Sequence, residues 1–239
     1  MDAIAVSNLS FAYPNQDPVL KSVNLTIHKG DRVGLIGHNG CGKTTLFLLI
    51  CGVLIPQSGE IFVFEKQVQP GAFCPDIGLV LQNPNDQLFC TSVWDDIAFA
   101  PQNLGLSAAE IDRRVGEAMR CTGVEALAQR PPHHLSGGEK RMVAIAGILA
   151  MQPQVILYDE PSANLDLRAR RRLIEFLKTA PQTTVITSHD FEFLLEVCDR
   201  IILMSNGQVI ADGTPQEIMG DRALMTAYEL EVPASIAAE

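Results

Sequence analysis

Apolar and polar positions along the chain change period several times, and each change predicts an element. Residues 3–10 and 22–28 are short, partly alternating apolar runs on either side of the turn-rich stretch from Tyr13 to Pro18, which predicts two antiparallel strands joined by a loop. Residues 32–36 form an apolar strand and 45–53 an apolar helix. Residues 60–64 predict another strand and 77–81 a buried one. From 92 to 123 the pattern is helical, with breaks expected at Pro101 and Gly105. Ser107-Ala-Ala-Glu110 fits a capping box, and the pair Pro131-Pro132 closes that segment. Ser136 is placed to cap a helix reaching about Met151. Residues 155–157 are a fully apolar strand running into Asp159-Glu160. Residues 183–187 are a second such strand, followed by Ser188-His189-Asp190 and a helix. Residues 201–204 and 208–211 flank Asn206-Gly207, a strong hairpin signal.

Continuous apolar strands bounded by helices imply an α/β fold, with a mostly parallel sheet covered on both faces. Residues 84–132 predict a mostly helical insertion into that core. No internal repeat or low-complexity segment is visible.

Composition narrows the partners. The 239 residues are 47% hydrophobic and 19% charged, enough for a sizeable core, and carry a formal net charge of −10. That balance argues against nucleic acid and against direct adsorption on, or insertion into, anionic lipid. No run approaches the ~20 apolar residues of a membrane span. The first residues lack the basic and apolar regions of a signal peptide. Cysteines 41, 51, 74, 90, 121 and 198 show no CxxC spacing and are expected to be reduced thiols of the cytosol without a metal role.

The chemistry concentrates at the ends of the predicted strands. Gly37-His-Asn-Gly-Cys-Gly-Lys-Thr44 is a complete G-x-x-x-x-G-K-[ST] loop, and it lies where such a loop works, between a strand and a helix. Gly37, Gly40 and Gly42 let the backbone curl, so that the amides of His38, Asn39 and Cys41 face one anion beside the positive end of the helix. Lys43 can reach β- and γ-phosphates, and the Thr44 hydroxyl can ligate Mg²⁺. Cys41 lies inside this loop, so its oxidation or alkylation is expected to hinder nucleotide binding.

Asp159 at a strand end can hold Mg²⁺ through water, and Glu160 beside it can polarise an attacking water; the plain alternative is an Asp-Glu turn before Pro161. His189 follows the next strand and can contact the γ-phosphate; a surface loop histidine is the alternative. Gln82 can offer its amide oxygen to Mg²⁺ or water, or is simply a polar residue leaving a strand. Tyr13 can stack on adenine or lie on the surface beside Pro14. Leu135-Ser-Gly-Gly-Glu139 begins a helix, and Ser136, Gly137, Gly138 and Glu139 form a second anion site without a lysine, or else an ordinary cap. One lysine loop and a second phosphate-binding helix start suggest that one ATP is clamped by two subunits.

All five elements in this order resemble the ATP-binding cassette (ABC) ATPases across nearly the whole chain. The resemblance implies a P-loop NTPase core at 1–83 and 152–220 with an N-terminal antiparallel β subdomain. It implies a helical subdomain at 84–151 carrying the signature, and a C-terminal tail at 221–239. It makes Tyr13 the adenine-stacking aromatic, Thr45 a phosphate contact, Gln82 the Q-loop glutamine, Asp159 and Glu160 Walker B and the catalytic carboxylate, residues 162–166 the D-loop and His189 the switch histidine. It implies that residues 135–139 serve the ATP of the opposite subunit. Glu139 replaces a commoner Gln and is expected to face away or to pair with Lys140 or Arg141. Asn164-Leu-Asp166 replaces a commoner Gly- or Ala-Leu-Asp.

Residues 82–99 and 101–106 are similar to the ATPases of energy-coupling factor (ECF) transporters, as is Glu229-Leu-Glu-Val-Pro233. The last motif and Asn164-Leu-Asp166 lean toward the cobalt and nickel systems, although importers of biotin and other vitamins share the same ATPase design. The resemblance implies a second ATPase subunit, a transmembrane coupling subunit and a substrate-binding membrane subunit, at the cytoplasmic face of the cell membrane. It makes residues 87–99 part of a groove for helices of the transmembrane partner. Leu88, Phe89, Val93 and Trp94 supply anchors there beside Asp95 and Asp96. A soluble ABC protein acting without a membrane is the rival reading; a single cassette with a short insertion disfavours it.

Overall fold

The computed structural model describes residues 1–237; Ala238 and Glu239, the end of the expected tail, lie outside the described residues. Two sheets carry the fold. The first, ordered β2-β1-β4-β5, is antiparallel and comprises β1 (Asp2–Phe11), β2 (Leu20–His28), β4 (Ser58–Val63) and β5 (Lys66–Gln67). The second is ordered β10-β9-β3-β8-β7-β6. Its strands β3 (Arg32–Ile36), β6 (Ile77–Val80), β7 (Val155–Asp159), β8 (Thr183–Thr187) and β9 (Arg200–Ser205) run parallel. Only β10 (Gln208–Gly213) is antiparallel, returning from β9 through Asn206-Gly207, whose φ angles of 48° and 78° are those of the expected tight turn.

Period-2 alternation shows why the apolar strands are continuous. Ile156 and Tyr158 of β7 point to one face and Val155 and Leu157 to the other, and each set joins a different buried cluster. One cluster lies under the helices. The other packs β3, β7 and β9 against α1 (Lys43–Ile50) and the antiparallel sheet through Ile4, Leu9 and Leu46. Both faces are dry, so polar alternation would leave unpaired groups in the core.

The insertion carries α2 (Val93–Asn103), α3 (Ala108–Thr122) and α4 (Gly137–Leu149). Ser92, Ser107 and Ser136 cap them, accepting bonds from the amides of Asp95, Glu110 and Glu139. Two expectations change here. Pro101 does not break α2; it lies in the last turn, where the missing N–H costs one bond, and the helix ends at Asn103. The reciprocal half of the Ser107 capping box is absent, because the Glu110 carboxylate turns to Arg113 and Arg114 at 2.6 and 2.7 Å. The helix expected at 45–53 begins two residues earlier, inside the glycine-rich loop.

The chain continues through α5 (Leu167–Thr179), α6 (Phe191–Val197), α7 (Pro215–Met219), α8 (Arg222–Ala227) and α9 (Ala234–Ala237). Met225, Leu230, Val232 and Ile236 pack against the helical core, and Ser235 donates its amide and hydroxyl to Glu192 on α6.

Candidate functional site

Because β3, β8, β7 and β6 are parallel neighbours, their C-terminal ends meet at one sheet edge, where ligands of α/β sheets bind. From these ends emerge the Gly37–Thr44 loop, His189, Asp159-Glu160 and Gln82. They line a cleft of about 410 Å³, closed on one side by Tyr13.

Loop curvature comes from glycine. Gly37 and Gly42 have φ of 149° and 107°, and a Cβ on Gly37 would strike the Met204 carbonyl. The Lys43 ammonium donates to the carbonyls of Gly37 at 2.7 Å and His38 at 3.1 Å, so it folds over its own loop. Cys41 is 1% exposed and 3.8 Å from Lys43 Nζ, and burial pushes its thiol pKa up. A reagent reaches it only if the loop opens, so modification of Cys41, expected to hinder nucleotide binding, is slow in this conformation.

The acidic end is held by hydroxyls. Thr44 Oγ1 donates to Asp159 Oδ2 at 2.8 Å, and Thr187 Oγ1 donates to Asp159 Oδ1 at 2.7 Å while accepting from the Glu160 amide at 2.9 Å. Thr187 stands opposite Asp159 in the β7–β8 register. Glu160, at φ 47°, bonds through one oxygen to the His189 amide at 3.2 Å. Its other oxygen is buried without a hydrogen-bond partner among the described residues and lies 3.5 Å from His189 Nε2. Burial raises the Glu160 pKa, opposed by His189 and Lys43. A carboxylate of raised basicity with a free oxygen facing a cleft suits the polarising of a water. His189 Nε2 also bonds Asn39 Oδ1 at 2.8 Å.

Tyr13 lies edge-on to Phe11, with its hydroxyl 3.3 Å from Thr45 Oγ1, and Gln16 and Val19 flank it in the cleft. The residues present fit a nucleoside triphosphate with Mg²⁺: loop amides and Lys43 for phosphates, Thr44 and Asp159 as oxygen donors for the metal.

Ser136, Gly137, Gly138 and Glu139 are not in this cleft. They line a separate cavity with Asn164, Asp166 and Arg168. Glu139 neither faces away nor pairs with Lys140 or Arg141. Its carboxylate accepts from the Ser136 amide and hydroxyl at 2.8 Å each, which lowers its pKa. Lys140 reaches Asn85 instead, and Arg141 is buried. Both Ser136 donors are thus engaged within the helix cap, leaving the amides of Gly137 and Gly138 for an anion.

Sequence reasoning missed Thr187, Gln16, Val19 and the side-chain role of Asn39. The Thr187 signal is its place at the end of the strand beside Asp159; Gln16 and Val19 follow Tyr13 in the same loop but carry no pattern of their own.

Among the described residues no helix is long and apolar enough to cross a membrane. The family model described as ABC transporter matches residues 20–163. A relative from Synechocystis sp., named as an ABC transporter ATP-binding protein, is 56% identical over 98% of this chain and 82% of its own length. The energy-coupling factor transporter ATP-binding protein EcfA of Methanothermobacter thermautotrophicus is 40% identical over 96% of this chain and 76% of its own. The solved structure of cbiO1 from Clostridium perfringens, part of the ABC transporter complex cbiONQ, superposes with a TM-score of 0.84 at 34% identity, covering 99% of this chain and 98% of that one. Geometry and kinship agree, and the chain belongs to the ABC transporter family, as an ATP-hydrolysing subunit of the energy-coupling factor type.

Proposed function

We propose that this chain drives uptake of a micronutrient, with a cobalt or nickel ion favoured, by clasping ATP head to tail with a second copy or a close paralogue. The observation that carries the pairing is the separation of the Ser136–Glu139 helix start from the Lys43 cleft. Each chain holds half of two sites, so two chains complete both. In each site Lys43 and the amides of Gly37 to Gly42 bind the β- and γ-phosphates, and Tyr13 stacks on the base. Thr44, Asp159 and Gln82 would hold Mg²⁺, which neutralises phosphate charge when bound. Glu160 orients and polarises the attacking water, and His189 beside it contacts the γ-phosphate. The partner's helix start closes over the phosphates through its glycine amides.

Closure moves a transmembrane subunit docked at residues 87–99, at the cytoplasmic face of the membrane, beside a substrate-binding membrane subunit. The exposed pair Phe89 and Phe99 supports that docking surface. The Asn164-Leu-Asp166 and Leu230-Glu-Val-Pro233 forms support cobalt or nickel over a vitamin.

The test is Glu160→Gln in the full complex. The variant is expected to remain a paired, ATP-bound species on size exclusion with little turnover, and cells carrying it lose labelled cobalt or nickel uptake. Wild-type hydrolysis, or a monomer with ATP bound, sinks the mechanism; intact metal uptake with lost vitamin uptake moves the substrate to the vitamins.

A further inference from the structure

Arg141 lies in the second turn of α4 and is 2% exposed, yet it forms no ion pair among the described residues. A buried guanidinium without a carboxylate is costly, and an apolar side chain of similar length would pack there more cheaply. Burial lowers its pKa to about 10 while the charge of Asp159 opposes that shift. The cation is spent on two backbone carbonyls: Nη1 donates to Leu81 O and Nη2 to Gln82 O, each at 2.5 Å.

A second side chain works on the same turn. Gln87 Oε1 accepts from the Leu81 amide at 3.1 Å, and its Nε2 donates to the Ala144 carbonyl of α4 at 3.4 Å. Lys140 of α4 donates to Asn85 Oδ1 at 2.8 Å. β6 ends at Val80, so Leu81 and Gln82 leave the sheet with no ladder to hold them. Their backbone is fixed by α4 instead, and α4 is the helix that opens at Ser136.

We propose that Arg141 is a positioning residue: it sets where Gln82 enters the Lys43 cleft and makes Gln82 move as one body with the Ser136 helix. The proposal rests on reading Gln82 as the group that reaches Mg²⁺ or the attacking water. A shift of α4 of the kind that brings Ser136 onto a partner's phosphates is then felt at the metal site of its own chain. Hydrolysis and pairing are linked through one buried side chain.

The experiment measures steady-state ATPase against Mg²⁺ concentration, with ADP affinity in the absence of Mg²⁺, for the full chain and four variants. Arg141→Met is expected to lower kcat between about tenfold and a hundredfold, the range for losing charge-assisted hydrogen bonds. It also raises the half-saturating Mg²⁺, leaves Mg²⁺-free ADP affinity unchanged, and Arg141→Lys recovers part of the loss. In a Gln82→Ala background, Arg141→Met is expected to cost less than about twofold more, because both changes act on one element. A multiplicative loss in the double variant, or full activity in Arg141→Met, overturns the proposal alone. Gln82→Ala with wild-type kcat and Mg²⁺ dependence removes both the Gln82 reading and the proposal. Should Arg141→Met fail to fold, Gln87→Leu loosens the same turn from the half-buried side. Its non-additivity with Gln82→Ala then supports the proposal, and additivity overturns it.

Discussion

His189 and Asn39, 150 positions apart in sequence, share a 2.8 Å hydrogen bond between Nε2 and the amide oxygen. The bond requires the proton on Nε2, which fixes the imidazole tautomer and ring plane at the mouth of the cleft. The phosphate loop therefore orients the histidine as well as lining the binding site. Asn39→Ala is expected to cut kcat about fivefold, as for one neutral hydrogen bond of ~1 kcal/mol, with ADP affinity little changed. A loss in ADP affinity with kcat intact would place Asn39 in binding rather than in orientation.

Glu160 makes stability depend on pH in a definite direction. Burial raises its folded-state pKa above the ordinary carboxylate value. The folded protein thus holds a proton that the unfolded chain releases, and the stabilisation is fully present below the unfolded pKa. It is lost as pH rises through the folded value. Wild type should therefore lose melting temperature relative to Glu160→Gln as pH rises above the ordinary carboxylate range. Parallel melting curves across that window would contradict the assignment of burial as the dominant cause. Hydrolysis runs the other way, falling as acidification protonates the carboxylate.

Tyr158 lies in β7 one residue before Asp159, fully buried, with a hydroxyl that has no partner among the described residues. Burial drives its phenol pKa upward. An unpaired buried hydroxyl costs stability that Phe would not. Tyr158→Phe is expected to stabilise by about 1 kcal/mol, a rise of roughly 2–4 °C in a domain of this size. Urea unfolding with the same slope and a higher midpoint checks it; a lower midpoint means that the hydroxyl has a partner after all.

The strand ends were legible in the sequence because period and motif coincide there. Apolar runs stop at Ile36, Leu81 and Tyr158, and Gly37, Gln82 and Asp159 follow at once. A parallel sheet then brings those ends together without any further information. What stayed hidden depends on register and on side chains that cross between elements. Thr187 reads as one more β-branched strand residue until the β7–β8 register sets it against Asp159. Arg141 reads as a charge on a helix beside Lys140, and only the packing of α4 over β6 turns it inward. Glu139 reads as a carboxylate that faces away or pairs with Lys140 or Arg141, yet the cap of its own helix supplies two donors. In α2, Pro101 reads as a break because Pro is disfavoured within helices, but the helix runs on only to Asn103, so the disruption is confined to one backbone bond at its end.

Phe89 and Phe99 carry the last prediction. Their rings meet edge to face with centroids 4.8 Å apart, although the residues are 65% and 44% exposed. The backbone at Phe89 is tied down: Asp96, itself buried, accepts from the amides of Phe89 and Cys90 at 2.9 and 3.0 Å. An aromatic pair held in place but left in water is preorganised for a partner, since the ordering cost is already met within the fold. The double variant Phe89→Ala, Phe99→Ala should leave ADP affinity and melting temperature near wild type, because neither ring is buried in the isolated chain. If the proposed docking at residues 87–99 holds, co-purification with the membrane subunit should weaken by at least about tenfold, as for the loss of two central aromatic anchors. Retained assembly would place the docking surface elsewhere on the helical insertion. A large fall in melting temperature would mean that the pair packs that insertion rather than waiting for a neighbour.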